Sequence, residues 1–149
     1  MKLADDEREV ILAEVEELLQ RASQPKSRQR YAALRDALQL GELPDGFVPD
    51  VERLVEIGLE SGRIRQVHSA HGEMAALRFY RRSSRARPVQ ASLEAVSQAL
   101  SGLAGQTLEE ITLSLAGPGS FTLAISTDQG RLLVQLDRGG AEVRSVEVG

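Results

Sequence analysis

Apolar residues recur at three- and four-residue spacing through the first 60 positions, the pattern of helices that bury one face. The pattern predicts three helices, at about residues 6–22, 28–40 and 49–61. Acidic residues crowd the start of the first helix, where they interact favourably with the positive end of the helix dipole. Gly41 and Gly62 come directly after the second and third helices, where glycine commonly ends a helix.

After the third helix the apolar spacing changes to the alternation that is typical of strands. Ile64 and Val67 belong to an extended stretch, and the sequence Ser-Ala-His-Gly at residues 69–72 carries turn signals. A returning strand then has apolar residues at every second position: Ala75, Leu77 and Phe79. We therefore predict a β-hairpin directly after the third helix.

A basic segment without large apolar side chains divides the chain in two. Residues 81–87 contain four arginines and no apolar side chain larger than that of alanine. We predict a basic linker at residues 83–91, between one subdomain at residues 1–82 and another at residues 92–149. A chain of 149 residues is long enough for one ordinary domain or for two small subdomains that share a core.

The second half of the sequence predicts one helix followed by four short strands. Ser92 can cap the helix and Gly105 ends it. Glycine-rich turns separate the strands. The apolar residues of the first three strands alternate with polar ones: Ile111, Leu113 and Leu115; Phe121, Leu123 and Ile125; Leu132, Val134 and Leu136. In the fourth strand Val143 is out of phase with Val146, which predicts a bulge near Ser145 or a frayed end.

These elements predict an α+β fold. Its helical N-terminal half carries a β-hairpin, and its C-terminal half is a helix packed on a four-stranded antiparallel meander. An open sheet of this kind has two edges, and exposed edges recruit other strands. The sheet edge is therefore a candidate for self-association or for the addition of a partner strand.

Three segments of the first half carry a resemblance to a known family. Their sequences are Leu-Val-Glu-Ile-Gly-Leu at residues 54–59, Gly-Arg-Ile-Arg-Gln-Val at 62–67 and Ala-Leu-Arg-Phe-Tyr-Arg at 76–81. With the helices before them they resemble a winged helix-turn-helix domain across residues 6–82, whereas residues 89–149 resemble no family. The resemblance implies a third helix that enters the DNA major groove and a hairpin wing that touches the DNA. The third helix here carries four acidic residues against one arginine, which repels phosphates and favours the winged helices that dock proteins.

Composition excludes several classes of chemistry. The chain has no cysteine, so it holds no disulfide, thiolate nucleophile, iron–sulfur cluster or cysteine-ligated zinc. Three Phe, two Tyr and no Trp leave few platforms on which single-stranded nucleic acid stacks. The acidic N-terminus lacks the apolar core of a secretory signal, and no apolar run approaches the length of a membrane span. We therefore expect a cytoplasmic protein without a membrane partner.

Basic residues are concentrated in one part of a chain whose formal net charge is −4. Residues 61–88 contain seven arginines and one acidic residue, whereas the segments on either side are acidic. If the predicted hairpin forms, these arginines gather on one positive surface, which suits an acidic protein, a second copy of the chain or nucleic acid. The alternative is that they pair with the acidic helices of the same chain. These candidate partner-binding residues, which we refer to as the basic block, are Arg63, Arg65, Arg78, Arg81, Arg82, Arg85 and Arg87.

Other residues that carry chemistry lack the arrangement that a site requires. His68, His71 and Glu73 give the spacing H-x-x-H-x-E, but a metal needs three or four converging ligands and the chain has only two histidines. The glycine-rich turns lack the lysine of a P-loop, and no G-x-S-x-G motif or spaced carboxylate pair is present. We therefore predict no metal, no cofactor and no catalytic residue.

The sequence thus favours a non-enzymatic adaptor or assembly protein. Such a protein would bind another protein or itself through a charged surface and an open sheet edge. The alternative is a DNA-binding regulator that uses the hairpin wing and the arginine-rich arm. A small enzyme of unknown class is the third hypothesis.

Overall fold

A computed structural model describes all 149 residues, and the chain divides into two compact units, Met1–Ala86 and Arg87–Gly149. The helices are α1 (Asp5–Arg21), α2 (Pro25–Gln39), α3 (Val48–Glu60), α4 (Arg63–Arg81) and α5 (Arg87–Ser101), with a 3₁₀ turn at Asp45–Phe47. The strands are β1 (Leu108–Gly117), β2 (Ser120–Thr127), β3 (Gly130–Asp137) and β4 (Gly140–Val148). None of the five α-helices combines the length and the apolar character that crossing a membrane requires. These elements confirm the predicted α+β class.

The four helices of the first unit bury their apolar faces in one core. α1 packs against α2 and α4, and α3 packs against α4. Val15, Leu38 and Val55 are fully buried, as the three- and four-residue spacing predicted. The observed starts of α1, α2 and α3 lie within three residues of the predicted ones. The largest difference is at α2, which begins at Pro25 because a residue without an N–H group suits the first helical turn.

The β-hairpin predicted after the third helix is wrong, because these residues form α4. Ile64 is buried before the kink in this helix, and the buried residues after it lie along one helical face: Gly72, Ala75, Ala76 and Phe79. The apparent strand alternation depended on Leu77, which is only partly buried, and overlooked Ala76, which is fully buried. Small residues on this face let the helices approach closely, since a β-carbon added at Gly72 would lie 3.3 Å from the Val10 side chain of α1. The wing that the winged-helix resemblance implied is therefore absent.

The turn signals at residues 69–72 correspond to a kink inside α4. Ser69 has φ 62° and ψ −174°, a conformation that glycine adopts readily and other residues do not. The kink brings the residues on its two sides together, because a β-carbon added at Gly72 would lie 2.3 Å from the β-carbon of His68. Close packing therefore requires the glycine at this position.

Residues 83–91, predicted as a basic linker, hold a turn and the start of a helix. Ser83 and Ala86 are buried within the first unit, at 1% and 3% exposure. α5 then begins at Arg87, five residues before the predicted start. Pro88 does not prevent this, since proline is tolerated in the first turn of a helix. The segment therefore contains no extended basic arm.

The second unit is the predicted antiparallel meander, with strand order β1-β2-β3-β4 and α5 packed mainly against β4 and β3. Leu113 pairs with Leu123, which pairs with Val134, which pairs with Val143. Paired residues lie on the same side of a sheet, so the alternating apolar residues form one apolar face across all four strands. Val96 of α5 packs on this face beside Val134.

The bulge predicted near Ser145 is confirmed. Arg144 is the extra residue of β4, because its neighbours Val143 and Ser145 pair with successive residues of β3. The bulge returns Val146 to the same face as Val143. It therefore explains why the apolar residues of the last strand are out of phase in the sequence.

Candidate interaction surfaces

The basic block lies along α4, in the turn that follows it and at the start of α5, and most of its members contact carboxylates. The ion pairs are Arg63 with Glu14 and Glu17, Arg78 with Asp6, Arg82 with Glu7, Arg85 with Glu56, and Arg65 with Glu73. Four of the carboxylates belong to α1. Glu7 and Glu14 are seven residues apart, which is about two helical turns, so both face the same neighbour. The arginines therefore connect α4 and its following turn to α1 and α3.

Glu14 is a buried carboxylate with two cationic or hydrogen-bonding partners. Its side chain is 1% exposed, and its Oε2 atom accepts a hydrogen bond from Arg63. Its Oε1 atom lies 2.9 Å from the Nε2 atom of His68, whose side chain is 16% exposed. Burial of an ionised carboxylate is costly unless the group is paired and hydrogen-bonded. Arg63 and His68 supply those interactions.

Two further buried carboxylates hold the turn that follows α4. Glu7, at 1% exposure, accepts hydrogen bonds from the backbone N–H of Ala4 at 2.9 Å and from Arg82 at 2.5 Å. Glu52, at 3% exposure, accepts hydrogen bonds from the backbone N–H and the hydroxyl of Ser84 at 2.8 and 2.5 Å. These contacts fix the turn against α1 and α3.

The ion pairs lower the pKa values of two half-buried acids of α1, Asp6 and Glu17. A hydrogen bond from Arg78, together with its charge, holds the pKa of Asp6 below its ordinary value of 3.8. Arg63 in the same way holds the pKa of Glu17 below its ordinary value of 4.5. A nearby positive charge favours the ionised carboxylate. Both acids therefore remain charged partners of the arginines at neutral pH.

The basic block is consequently not one uncompensated positive surface. Four of its members form ion pairs with the acidic helices of the same chain: Arg63, Arg78, Arg82 and Arg85. Arg65, Arg81 and Arg87 are exposed as well. Arg65 is 71% exposed and lies 3.6 Å from Glu73, and a pair so exposed contributes little to stability.

The two histidines and Glu73 do not converge on one point. His68 turns toward Glu14, whereas His71 is exposed and Glu73 faces Arg65. The kink in α4 lies between the two histidines. No group of three or more histidine, aspartate or glutamate side chains has an arrangement that could hold a metal ion.

The sheet of the second unit leaves part of its apolar face uncovered. An α-helix is about 10 Å wide and neighbouring strands are about 4.8 Å apart, so one helix covers about two strands. α5 packs on β4 and β3, and the core extends to Ile125 of β2, at 8% exposure, so the uncovered part consists of β1 and the end of β2 at Phe121. On β1 and β2 the exposed fractions are 55% for Ile111, 63% for Leu113, 73% for Leu115 and 42% for Phe121. We refer to these four residues as the β1–β2 strip.

No charged side chain interrupts the β1–β2 strip. The only charged residues of β1 are Glu109 and Glu110, which precede the strip at one end of the strand. β2 has no charged residue. Leu115 pairs with Phe121 and Leu113 with the partly buried Leu123, so the strip continues without a break into the covered core.

α5 also exposes two large apolar side chains. Ser92 and Ala99 lie on the flank that faces β4, where each lines a hollow with residues of that strand. Leu93 and Leu100 each follow by one residue, a rotation of about 100°, and so lie toward the other flank. They are 47% and 38% exposed. Leu93 and Leu100 therefore add exposed apolar surface on a different side of α5 from Ser92 and Ala99.

The sequence predicted these strands but did not identify their apolar face as a site. The available signal is the number of strands relative to the number of helices. That half of the chain has four strands with alternating apolar residues but only one helix, of 15 residues, to cover them. Because a helix covers about two strands, the excess of strands indicates that part of the apolar face is uncovered.

Comparisons with known proteins offer no relative from which a function can be transferred. No protein-family model, no curated protein and no solved structure matches this chain. The winged-helix resemblance of the first half is therefore tested by no relative. The surfaces themselves are the basis for the functional argument.

Proposed function

We propose that this protein is a non-enzymatic adaptor or assembly protein whose second unit binds another protein molecule through the uncovered part of its sheet. The observation that carries the proposal is the β1–β2 strip, whose four apolar side chains are 42% to 73% exposed. Soluble monomers rarely expose a contiguous apolar patch larger than a few hundred Å², and such patches mark interaction sites. Burial against a partner is worth about 25 cal/mol per Å² of apolar surface.

The free edge of β1 supports the same proposal. β1 is an outer strand of the sheet and is ten residues long. Its two glutamates and its two register irregularities lie at the ends of the strand, so its middle, at residues 111–115, has no charged residue, proline or bulge to protect the edge. Its unpaired backbone groups therefore lie directly beside the β1–β2 strip.

The basic block supports the binding of an acidic protein or DNA less strongly than the sequence predicted. Five of its seven arginines already contact carboxylates of the first unit, so much of its charge is compensated within the chain. Both an acidic partner protein and a DNA duplex would need guanidinium groups that are available for new contacts. We therefore base the proposal on the apolar face of the sheet.

Site-specific photo-crosslinking in an extract of the source cells tests this proposal. A photoreactive phenylalanine analogue is incorporated at Leu113, and in a matched control at Ser114, the next residue on the opposite face of β1. We expect protein crosslinks from position 113 and few from position 114. Equal crosslinking from the two positions, or none from position 113, would contradict the proposal.

A further inference from the structure

We propose that the molecule bound at the β1–β2 strip is a second copy of this chain, which stacks its own strip face to face on the first. The inference rests on the proposed function and names its partner. Two copies related by a two-fold axis would bury the same patch on each side, which is the common form of a homodimer interface.

The chemistry of the strip is complementary to itself. Ile111, Leu113, Leu115 and Phe121 present only apolar groups. The glutamates of β1 lie at one end of the strand, outside the strip. When two such surfaces stack, no charged group is buried without a partner, so the contact avoids the main cost of a polar interface.

The area available is of the order that a stable dimer needs. The four residues of the strip, with Leu93 and Leu100 of α5, expose on the order of several hundred Å² on each copy. A standard interface buries about 800 Å² on each partner. The apolar core of such an interface is therefore already present on one copy.

The height of α5 above the sheet suits a second sheet layer. A helix is about 10 Å across, and two stacked sheets also lie about 10 Å apart. A second sheet that covers the β1–β2 strip therefore lies level with α5, beside its exposed Leu93 and Leu100. The two-fold axis brings each α5 next to the β1 edge of the other copy. One arrangement thus covers the strip, the helix flank and the free edge.

Pairing of the two β1 edges is the other symmetric arrangement, and it explains less. Antiparallel pairing centred on Leu113 would place Glu109 and Glu110 opposite the small residues Gly117 and Ala116, so charge does not forbid it. However, it would only extend the sheet to eight strands and leave both strips open to water. Stacking removes the exposed apolar surface, which is the larger driving force.

Sedimentation equilibrium of the purified 149-residue chain tests the inference. We expect a dimer within the range of about 1 to 100 µM, which brackets the dissociation constants of modest interfaces. Leu113→Glu and Leu115→Glu should each weaken dimerisation by about 100-fold, because each places a charge in an apolar contact. Both leucines are more than 60% exposed in the single chain, so these variants should fold. Ser114→Glu adds the same charge on the opposite face and should leave the dimer intact.

Salt dependence and crosslink mapping identify the surface that is used. A dimer held by the apolar strip keeps or gains affinity between about 0.05 and 0.5 M salt, whereas association through the arginines weakens. In a mixture of ¹⁴N- and ¹⁵N-labelled protein, photo-crosslinks from position 113 should reach residues 93–125 of the other copy. Crosslinks that instead reach residues 1–86, or a dimer that salt dissociates, would overturn the inference.

A purified protein that is monomeric throughout the concentration range would also overturn it, as would a dimer that survives Leu113→Glu. The proposed function would then be decided separately in cell extract. Crosslinks from position 113 to a different protein would uphold the proposed function while rejecting a second copy as the partner. No crosslink from position 113 under either condition would reject both.

Discussion

The Nε2 atom of His68 lies 2.9 Å from the Oε1 atom of Glu14, across 54 positions of the sequence. The contact joins the middle of α1 to the segment of α4 directly before its kink. Arg63 binds the other oxygen of the same carboxylate. Because Glu14 is 1% exposed, it depends on these partners and cannot turn to water. We therefore expect the stability of the first unit to be sensitive to this cluster.

Replacement of Arg63 by methionine should lower the free energy of unfolding by about 1–3 kcal/mol, since it leaves the buried Glu14 carboxylate with one partner fewer. Arg65→Met makes the same chemical change two positions away, where the side chain is 71% exposed. Its effect should be below about 0.5 kcal/mol. Urea denaturation followed by circular dichroism near neutral pH measures both. Equal losses would show that Glu14 does not depend on Arg63.

Acid should destabilise the first unit through the acids whose pKa values are lowered. Glu17 in the folded chain has a pKa below its ordinary value of 4.5, so between those two values the unfolded chain binds more protons. The contribution of Glu17 to the free energy of unfolding is therefore present above pH 4.5 and is lost as the pH falls through the folded pKa. Glu17→Gln should be less stable than the wild type at neutral pH, and the difference should shrink as the pH falls below 4.5 and through the folded pKa.

The control for the acid experiment is Glu16→Gln, which changes an exposed neighbouring residue. Urea denaturation at several pH values should give this variant the same acid dependence as the wild type. If the difference between Glu17→Gln and the wild type stays constant with pH, the Arg63 ion pair does not account for the lowered pKa.

Relief of the backbone conformation at the kink should stabilise the protein. Ser69 has a positive φ of 62°, which costs about 1–3 kcal/mol for a residue with a side chain. Ser69→Gly should raise the free energy of unfolding by about 1 kcal/mol, after the entropy cost of glycine is included. Ala70→Gly, one position later, should instead lower it by about 0.5–1 kcal/mol. A loss of stability in Ser69→Gly, measured by urea denaturation, would contradict the strained conformation.

Duplex DNA should bind weakly, because most of the basic block already pairs with carboxylates. We expect a dissociation constant weaker than about 100 µM near 0.15 M salt, at the weak end of non-specific binding. Fluorescence anisotropy with a labelled duplex measures it. A variant with Arg65→Ala and Arg87→Ala, two exposed members of the block, should bind more weakly still, because non-specific binding depends on exposed cations. Micromolar affinity with a steep salt dependence would instead revive the DNA-binding hypothesis.

Much of the fold follows from local sequence patterns. The spacing of apolar residues predicted α1, α2 and α3 and all four strands, because helices and strands repeat with different periods. It also predicted the bulge beside Ser145, since an extra residue shifts the phase of every residue after it. These features depend on near neighbours in the chain.

Contacts between segments that are distant in the sequence determined the features that local patterns did not predict, namely α4 and the pairing of the arginines. α4 has too few large apolar residues to show a helical period, and its helix depends on glycine and alanine packing closely against neighbouring helices. The arginines looked like a positive surface because the acids that pair with them lie up to 75 positions away, as between Glu7 and Arg82.

By itself, then, the sequence determined the α+β class, the order of most elements and the alternating apolar face of the sheet. Tertiary structure decided which of those apolar residues are covered. α5 lies over β3 and β4, so Leu113 and Leu115 remain 63% and 73% exposed although their pattern matches that of the buried strands. The reason is physical: periodicity shows which side of a strand is apolar, but only the packing of other elements shows whether that side meets protein or water.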